Sequence, residues 1–270
     1  MNITIAMSIG GAASFTKLDK GSCLPNVLYS IVNQSQFDQY NVKFAIFNHS
    51  EDDTNVRDIF SKFIDVEQIK IQSGSCESFT RLNTKFKRDT GIVDTDADIV
   101  FYQSCDTIWF DPDILKSTTD MINDKNIVVS TNTQDVHVPY ALHSNSADYT
   151  AFNNTLTTLL NNTPAGSRGR KNAKFMYLGA MRKGLFDMYT DEPFMCDLTQ
   201  HNFFQVNDIE FVISDNMSIH QKHKYNVMPC LDFNNCNNKY GNKASCGRKT
   251  NPRMQQETLA FIEQFNNKQK

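Results

Sequence analysis

Short apolar runs alternate with segments of helical periodicity through the first hundred residues of this chain. ITIAMSI (3–9) reads as a strand, and LPNVLYSIVNQ as a helix with Leu24, Val27, Leu28 and Ile31 on one face. Pro25 falls in its first turn, where a missing N–H costs little. VKFAIF (42–47) is a second strand. Thr54 is positioned to cap a helix, NVRDIFSKF, that turns Val56, Ile59, Phe60 and Phe63 inward. VEQIKIQ is a third strand, SFTRLNTKFKRDT a helix and ADIVFY a fourth strand. Strands and helices alternating at this pace predict an α/β domain with a doubly wound, mostly parallel sheet. Ligands of such sheets bind beyond the carboxyl ends of the strands, which points to the loops 8–16, 48–54, 73–80 and 103–113.

The second half is less regular. DILKSTTDMIND is helical in pattern, NIVVSTN a strand, and residues 146–162 suit a long helix. SRGRKNAK is a basic loop, and KFMYLGAMRKGLF mixes strand and helix character. DIEFVIS is another strand. Residues 230–253 are rich in Asn, Lys and Gly without apolar periodicity, and RMQQETLAFIEQF closes the chain with an amphipathic helix. The chain therefore divides into 1–116, 117–229 and 230–270, within one continuous domain.

A net charge of −3 over 270 residues gives no basic field, which argues against nucleic-acid binding. Neither a transmembrane run nor a signal peptide is visible, so a soluble, cytoplasmic protein, at most peripheral to membranes, is expected. Seven cysteines, an odd and scattered set, do not form a disulfide framework, and reduced thiols are expected. In that setting triplets such as Asn33-Gln-Ser and Asn216-Met-Ser carry no meaning as glycan acceptors.

One stretch stands out for chemistry. In YQSCDTIWFDPDIL (102–115) a buried strand runs into Asp106, followed by an apolar wall and a helix start at Pro112. Asp106 is either a solvated strand end or a carboxylate held at the lip of a cleft. Later, SIHQKHKYN places His220 and His223 three apart after a strand, where they are either solvated or metal-facing. YTDEPFMCDLTQ offers Asp191, Glu192 and Asp197. Asp197 precedes an apolar helical run, so it is either an N-cap or an ionised base.

CDTIWFDPDILK resembles the segment around the D-x-D motif of GT-A glycosyltransferases, in particular the inverting family 2. LPNVLYSIVNQ is similar to that family's first helix, FAIFNHSEDDTNVRDIFSKF to its second strand and loop, and SFTRLNTKF to the segment before its metal-site strand. The resemblance covers roughly residues 3–116. It implies a GT-A fold, Rossmann-like in its donor half (1–116), with an acceptor-binding half (117–229). It also implies transfer of a sugar, with inversion, from a nucleotide-sugar donor, UDP-linked by expectation, to a glycan, glycoprotein or glycolipid. The motif is degenerate: Ser104 stands where the first carboxylate is expected, and Asn48 where the base-binding acid is. The resemblance assigns Asp106 to the metal, Mn²⁺ or Mg²⁺, with His220 as second ligand; an imidazole favours Mn²⁺. Ser8, Asn48, Arg81, Ser104 and Asp106 become the candidate donor-binding residues. Asp197, with Asp191 in reserve, becomes the candidate general base. Arg81 and the SRGRK loop (167–171) are candidates to steady the leaving diphosphate.

Two other readings remain at this level. One is a catalytically inactive, sugar- or nucleotide-binding protein of the same fold. The other is an interaction protein stabilised by zinc through His220, His223, Cys230, Cys236 and Cys246, although that spacing fits no standard zinc module.

Overall fold

In the computed structural model, the described residues are 1–9, 23–48, 53–73, 96–122, 126–139, 142–163, 178–191 and 207–222. They form an α/β fold around one eight-stranded sheet. The elements are β1 (Asn2–Ile9), α1 (Leu24–Val32), β2 (Asn41–Asn48), α2 (Thr54–Phe60), β3 (Ile69–Ser73), β4 (Ile99–Ser104), β5 (Thr107–Trp109), α3 (Ile114–Ile122), β6 (Ile127–His137), α4 (Tyr149–Asn161), β7 (Leu178–Arg182), α5 (Lys183–Asp191) and β8 (Glu210–Lys222). The strand order is β3-β2-β1-β4-β7-β6-β8-β5. Pairs β1/β2, β2/β3, β1/β4 and β6/β8 are parallel; β4/β7, β6/β7 and β5/β8 are antiparallel.

Among the described residues, β1, α1, β2 and β4 of the first half form where the pattern predicts them. β1 turns Ile3, Ile5, Met7 and Ile9 to one face and Ala6 to the other, and both faces are covered. That double burial is why the run is almost continuously apolar. α1 buries Leu24, Val27, Leu28 and Ile31 against the first face, as its 3.6-residue spacing requires. On the opposite face Leu185 and Phe186 of α5 pack with Ala45, Phe47, Val100 and Met181.

Three local expectations are corrected. α2 starts at Thr54, so the N-cap position falls to Asp53, which makes no side-chain cap; its carboxylate pairs instead with Arg57 at 2.8 Å. The third strand begins at Ile69, since Val66–Gln68 forms a 3₁₀ turn. β6 and β8 run well past their apolar halves, to His137 and Lys222, so His220 lies inside a strand rather than after one. A register shift between Ser130 and Asn132 separates the apolar half of the β6/β8 ladder from the polar half. In the polar half the Ser218 hydroxyl is hydrogen-bonded to those of Thr131 (2.7 Å) and Thr133 (2.9 Å), which makes burial of these residues tolerable. The segment SFTRLNTKFKRDT and the closing helix RMQQETLAFIEQF lie outside the described residues.

The turn between β4 and β5 is fixed from beneath. Trp109 is fully buried, its ring 5.1 Å from that of Phe101, and its indole N–H donates to Gln103 Oε1. The Gln103 amide in turn donates to the Thr107 carbonyl at 3.1 Å. Trp109→Ala is expected to cost about 3–5 kcal/mol through the cavity it leaves. Trp109→Phe should cost about 1–3 kcal/mol, because a buried acceptor on Gln103 loses its donor. Urea denaturation followed by circular dichroism measures both, and a Trp109→Ala midpoint equal to wild type would refute this account of the turn.

Candidate functional site

The carboxyl edge of the central strands gathers several residues that the sequence singles out. Ser104, the last residue of β4, is in register with Ser8 of β1, and Ile9 is in register with Asn48 at the end of β2. Asn48 is buried and its amide donates to Ser73 Oγ at 3.1 Å, at the end of β3. Asp106 follows in the turn between β4 and β5, with a side chain one-third exposed. The carboxylate is held in place: the Ser104 hydroxyl donates to Asp106 Oδ1 at 2.5 Å and shares a hydrogen bond with Thr107 Oγ1 at 2.8 Å.

His220 reaches the same point from the other half of the chain. On β8 it is in register with Thr107 of β5 on one side and Asp135 of β6 on the other. Its Nε2 lies 3.1 Å from Asp106 Oδ2 and its Nδ1 lies 2.8 Å from Asp135 Oδ1. Gln221 ties the backbone beside it, its N–H donating to the Asp106 carbonyl at 2.9 Å and its amide to the Cys23 carbonyl at 3.1 Å. Asn26 holds that amide from α1 by donating to Gln221 Oε1 at 3.0 Å. Cys105 packs against the core, and the Cys23 thiol donates to its carbonyl at 3.5 Å. The neighbouring Cys105 thiol, and then burial, raise the Cys23 pKa well above its usual value. Both thiols are free.

Burial pulls the His220 imidazole down, but the Asp106 carboxylate, aided by Asp135, outweighs it and holds the pKa up at about 9. Alone, the trio therefore carries an imidazolium between two carboxylates. Neighbouring ligands of an octahedral ion, each about 2.1 Å from it, stand about 3 Å apart. The 3.1 Å between Nε2 and Oδ2 matches that separation. One imidazole nitrogen and one carboxylate oxygen suit Mn²⁺. Among the described residues no third His, Cys, Asp or Glu joins this pair in a metal-binding group.

Asp135 is the member of this trio that sequence reasoning missed. It lies just beyond the strand NIVVSTN, in a polar stretch, TQDVH, without apolar periodicity, and the parallel pairing of β6 with β8 brings it to His220. Of the other candidates, Asp191 ends α5, and nothing is described of its side chain; nor is the side chain of Ser8. Asp197, Glu192, Arg81, the SRGRK loop, His223, Cys230, Cys236 and Cys246 lie outside the described residues.

The raised pKa of His220 fixes the sign of a pH effect. The folded protein binds this proton more tightly than the unfolded chain, whose value is near 6.5. The stabilisation is therefore complete below about pH 6.5 and is lost as pH rises through about 9. In chelator-treated protein the melting temperature of wild type should fall between pH 7 and 10 relative to His220→Gln. Parallel melting curves across that range would contradict the ion pairs as drawn.

No family model matches this sequence, and no curated protein matches it. Solved structures do share its fold. A mannosyltransferase from Pyrobaculum calidifontis, in complex with GDP-Man and Mn²⁺, aligns with a TM-score of 0.50 at 13% identity, over 82% of this chain and 57% of its own. This chain thus spans little more than half of that enzyme's length. A 4-diphosphocytidyl-2C-methyl-D-erythritol synthase from Anaerococcus prevotii aligns at TM-score 0.49 and 15% identity, over 80% of this chain and 86% of its own. The fold of this chain is thus similar to that of the mannosyltransferase, a GT-A-like α/β fold.

Proposed function

We propose that this chain is a metal-dependent glycosyltransferase that moves a sugar from a nucleotide-sugar donor to a glycan, glycoprotein or glycolipid. The observation that carries the reading is the convergence of Asp106 and His220, 114 residues apart in sequence, at the carboxyl edge of the sheet. Charge supports it. With His220 protonated, the trio Asp106, His220 and Asp135 carries a net charge of −1, which repels a diphosphate. A divalent cation in place of the Nε2 proton brings that sum to zero, at the cost of a proton released on binding. The shared fold with a mannosyltransferase complexed with GDP-Man and Mn²⁺ supports the substrate class.

Asp106 Oδ2 and His220 Nε2 hold the cation in this reading. A cation held there would supply Lewis-acid neutralisation of the charge that develops on the leaving nucleotide. The Ser104 hydroxyl, bound to Asp106 Oδ1, keeps the other carboxylate oxygen turned toward His220. Donor contacts come from residues 1–116, with Ser8, Asn48, Arg81 and Ser104 as candidates, and UDP as the proposed nucleotide. The acceptor hydroxyl is deprotonated by Asp197, or by Asp191, as it attacks the anomeric carbon from the face opposite the leaving group, which inverts that centre. Arg81 and the 167–171 loop steady the diphosphate.

A panel of UDP- and GDP-sugars, assayed with Mn²⁺, Mg²⁺ or chelator, tests this. Release of nucleoside diphosphate should require the metal, and Asp106→Ala and His220→Ala should each lower kcat/KM by about 100-fold or more. Donor binding without turnover in every case would instead favour an inactive binding protein. Stoichiometric, chelator-resistant zinc in the purified protein would favour the zinc-stabilised alternative.

A further inference from the structure

Asp135 stands behind the proposed metal ligands, on the far side of the His220 ring from Asp106. It is 4% exposed, and its Oδ1 lies 2.8 Å from His220 Nδ1. A carboxylate buried to that extent is costly unless paired, and an apolar residue would fill the same space without the cost. Its position is also rigid. Asp135 and His220 are directly opposed in the parallel β6/β8 ladder, one step along from the hydrogen-bonded hydroxyls of Thr133 and Ser218.

The contact sets which ring nitrogen keeps a proton. In a neutral imidazole one nitrogen donates and the other accepts. In the imidazolium both nitrogens donate, Nδ1 to Asp135 and Nε2 to Asp106; were a cation to replace the Nε2 proton, the Asp135 carboxylate, which can only accept, would keep the remaining hydrogen on Nδ1. Without Asp135 both tautomers are open to the ring, and its rotation loses an anchor.

We propose that Asp135 is a positioning residue: through the Nδ1–H of His220 it fixes the ring so that Nε2 and Asp106 Oδ2 face one divalent cation together. The assignment rests on the metal-dependent reading above and places Asp135 in contact with neither cation nor donor. It acts through His220 alone.

The test is Mn²⁺ binding, followed by loss of the free-ion electron paramagnetic resonance signal in the presence of UDP or GDP, with no turnover involved. Asp135→Asn should weaken Mn²⁺ binding about 10-fold and Asp135→Ala about 100-fold, the range for outer-shell partners of metal-bound histidines. In a His220→Ala background, Asp135→Asn should leave the residual affinity unchanged. Wild-type affinity in Asp135→Asn and Asp135→Ala would overturn the assignment while leaving the metal site standing. An equal loss with and without His220 would overturn it too, since Asp135 would then act through the field of its charge or the fold. Should these variants not fold, Asp135→Ser, which keeps a small acceptor, is read in the same way. Absence of Mn²⁺ binding in wild type, with either nucleotide, removes the metal reading and this role with it, a pattern distinct from the other two.

Discussion

The Gln103 side-chain amide, fully buried between β4 and β5, is bound at both ends: its oxygen accepts from the Trp109 indole and its nitrogen donates to the Thr107 carbonyl. Neither bond is available to water, so breaking either strands a polar group in an apolar interior. The two residues between the strands, Cys105 and Asp106, therefore have little freedom, and Asp106 is carried to the sheet edge, where Ser104 and His220 hold its carboxylate. β5 extends this rigidity outward by pairing with β8, which brings His220 beside the same turn.

What β8 delivers is decided by electrostatics. An imidazole placed between two carboxylates is held charged against the pull of its own burial. That arrangement stabilises the protein without a cation, and in the proposed reading a cation would have to displace the Nε2 proton. A cation there could draw further ligands from the phosphate-bearing molecule that enters. Binding of metal and substrate would then be linked in one equilibrium.

The half of the fold built on apolar periodicity was legible. β1, α1, β2, β4, α3 and α4 follow from the spacing of residues such as Leu24, Val27, Leu28 and Ile31, because burial on one or both faces imposes those periods. Asp106 was legible as a position, the end of a buried strand. His220 was singled out beside His223 as a residue beyond its strand, and only the resemblance made it a ligand. The reason is the polar half of the β6/β8 ladder. Thr133, Asp135, Ser218 and His220 fall outside the strands read from the sequence because periodicity scores burial of carbon, whereas these side chains, with Thr131, are buried by bonding one another across 85 or more residues of sequence. A single chain viewed linearly gives no sign of such a pairing, and the carboxylate of Asp135 disappears with it.

Trp109 is the only tryptophan among 270 residues, and it sits three residues after Asp106 with its indole N–H already engaged. The protein thus has an intrinsic fluorophore at the turn that carries the candidate ligand, uncontaminated by emission from any other indole. A paramagnetic ion beside Asp106 would lie close enough to quench it, while a diamagnetic one would not. The same ring that locks the turn offers an optical readout of what occupies it.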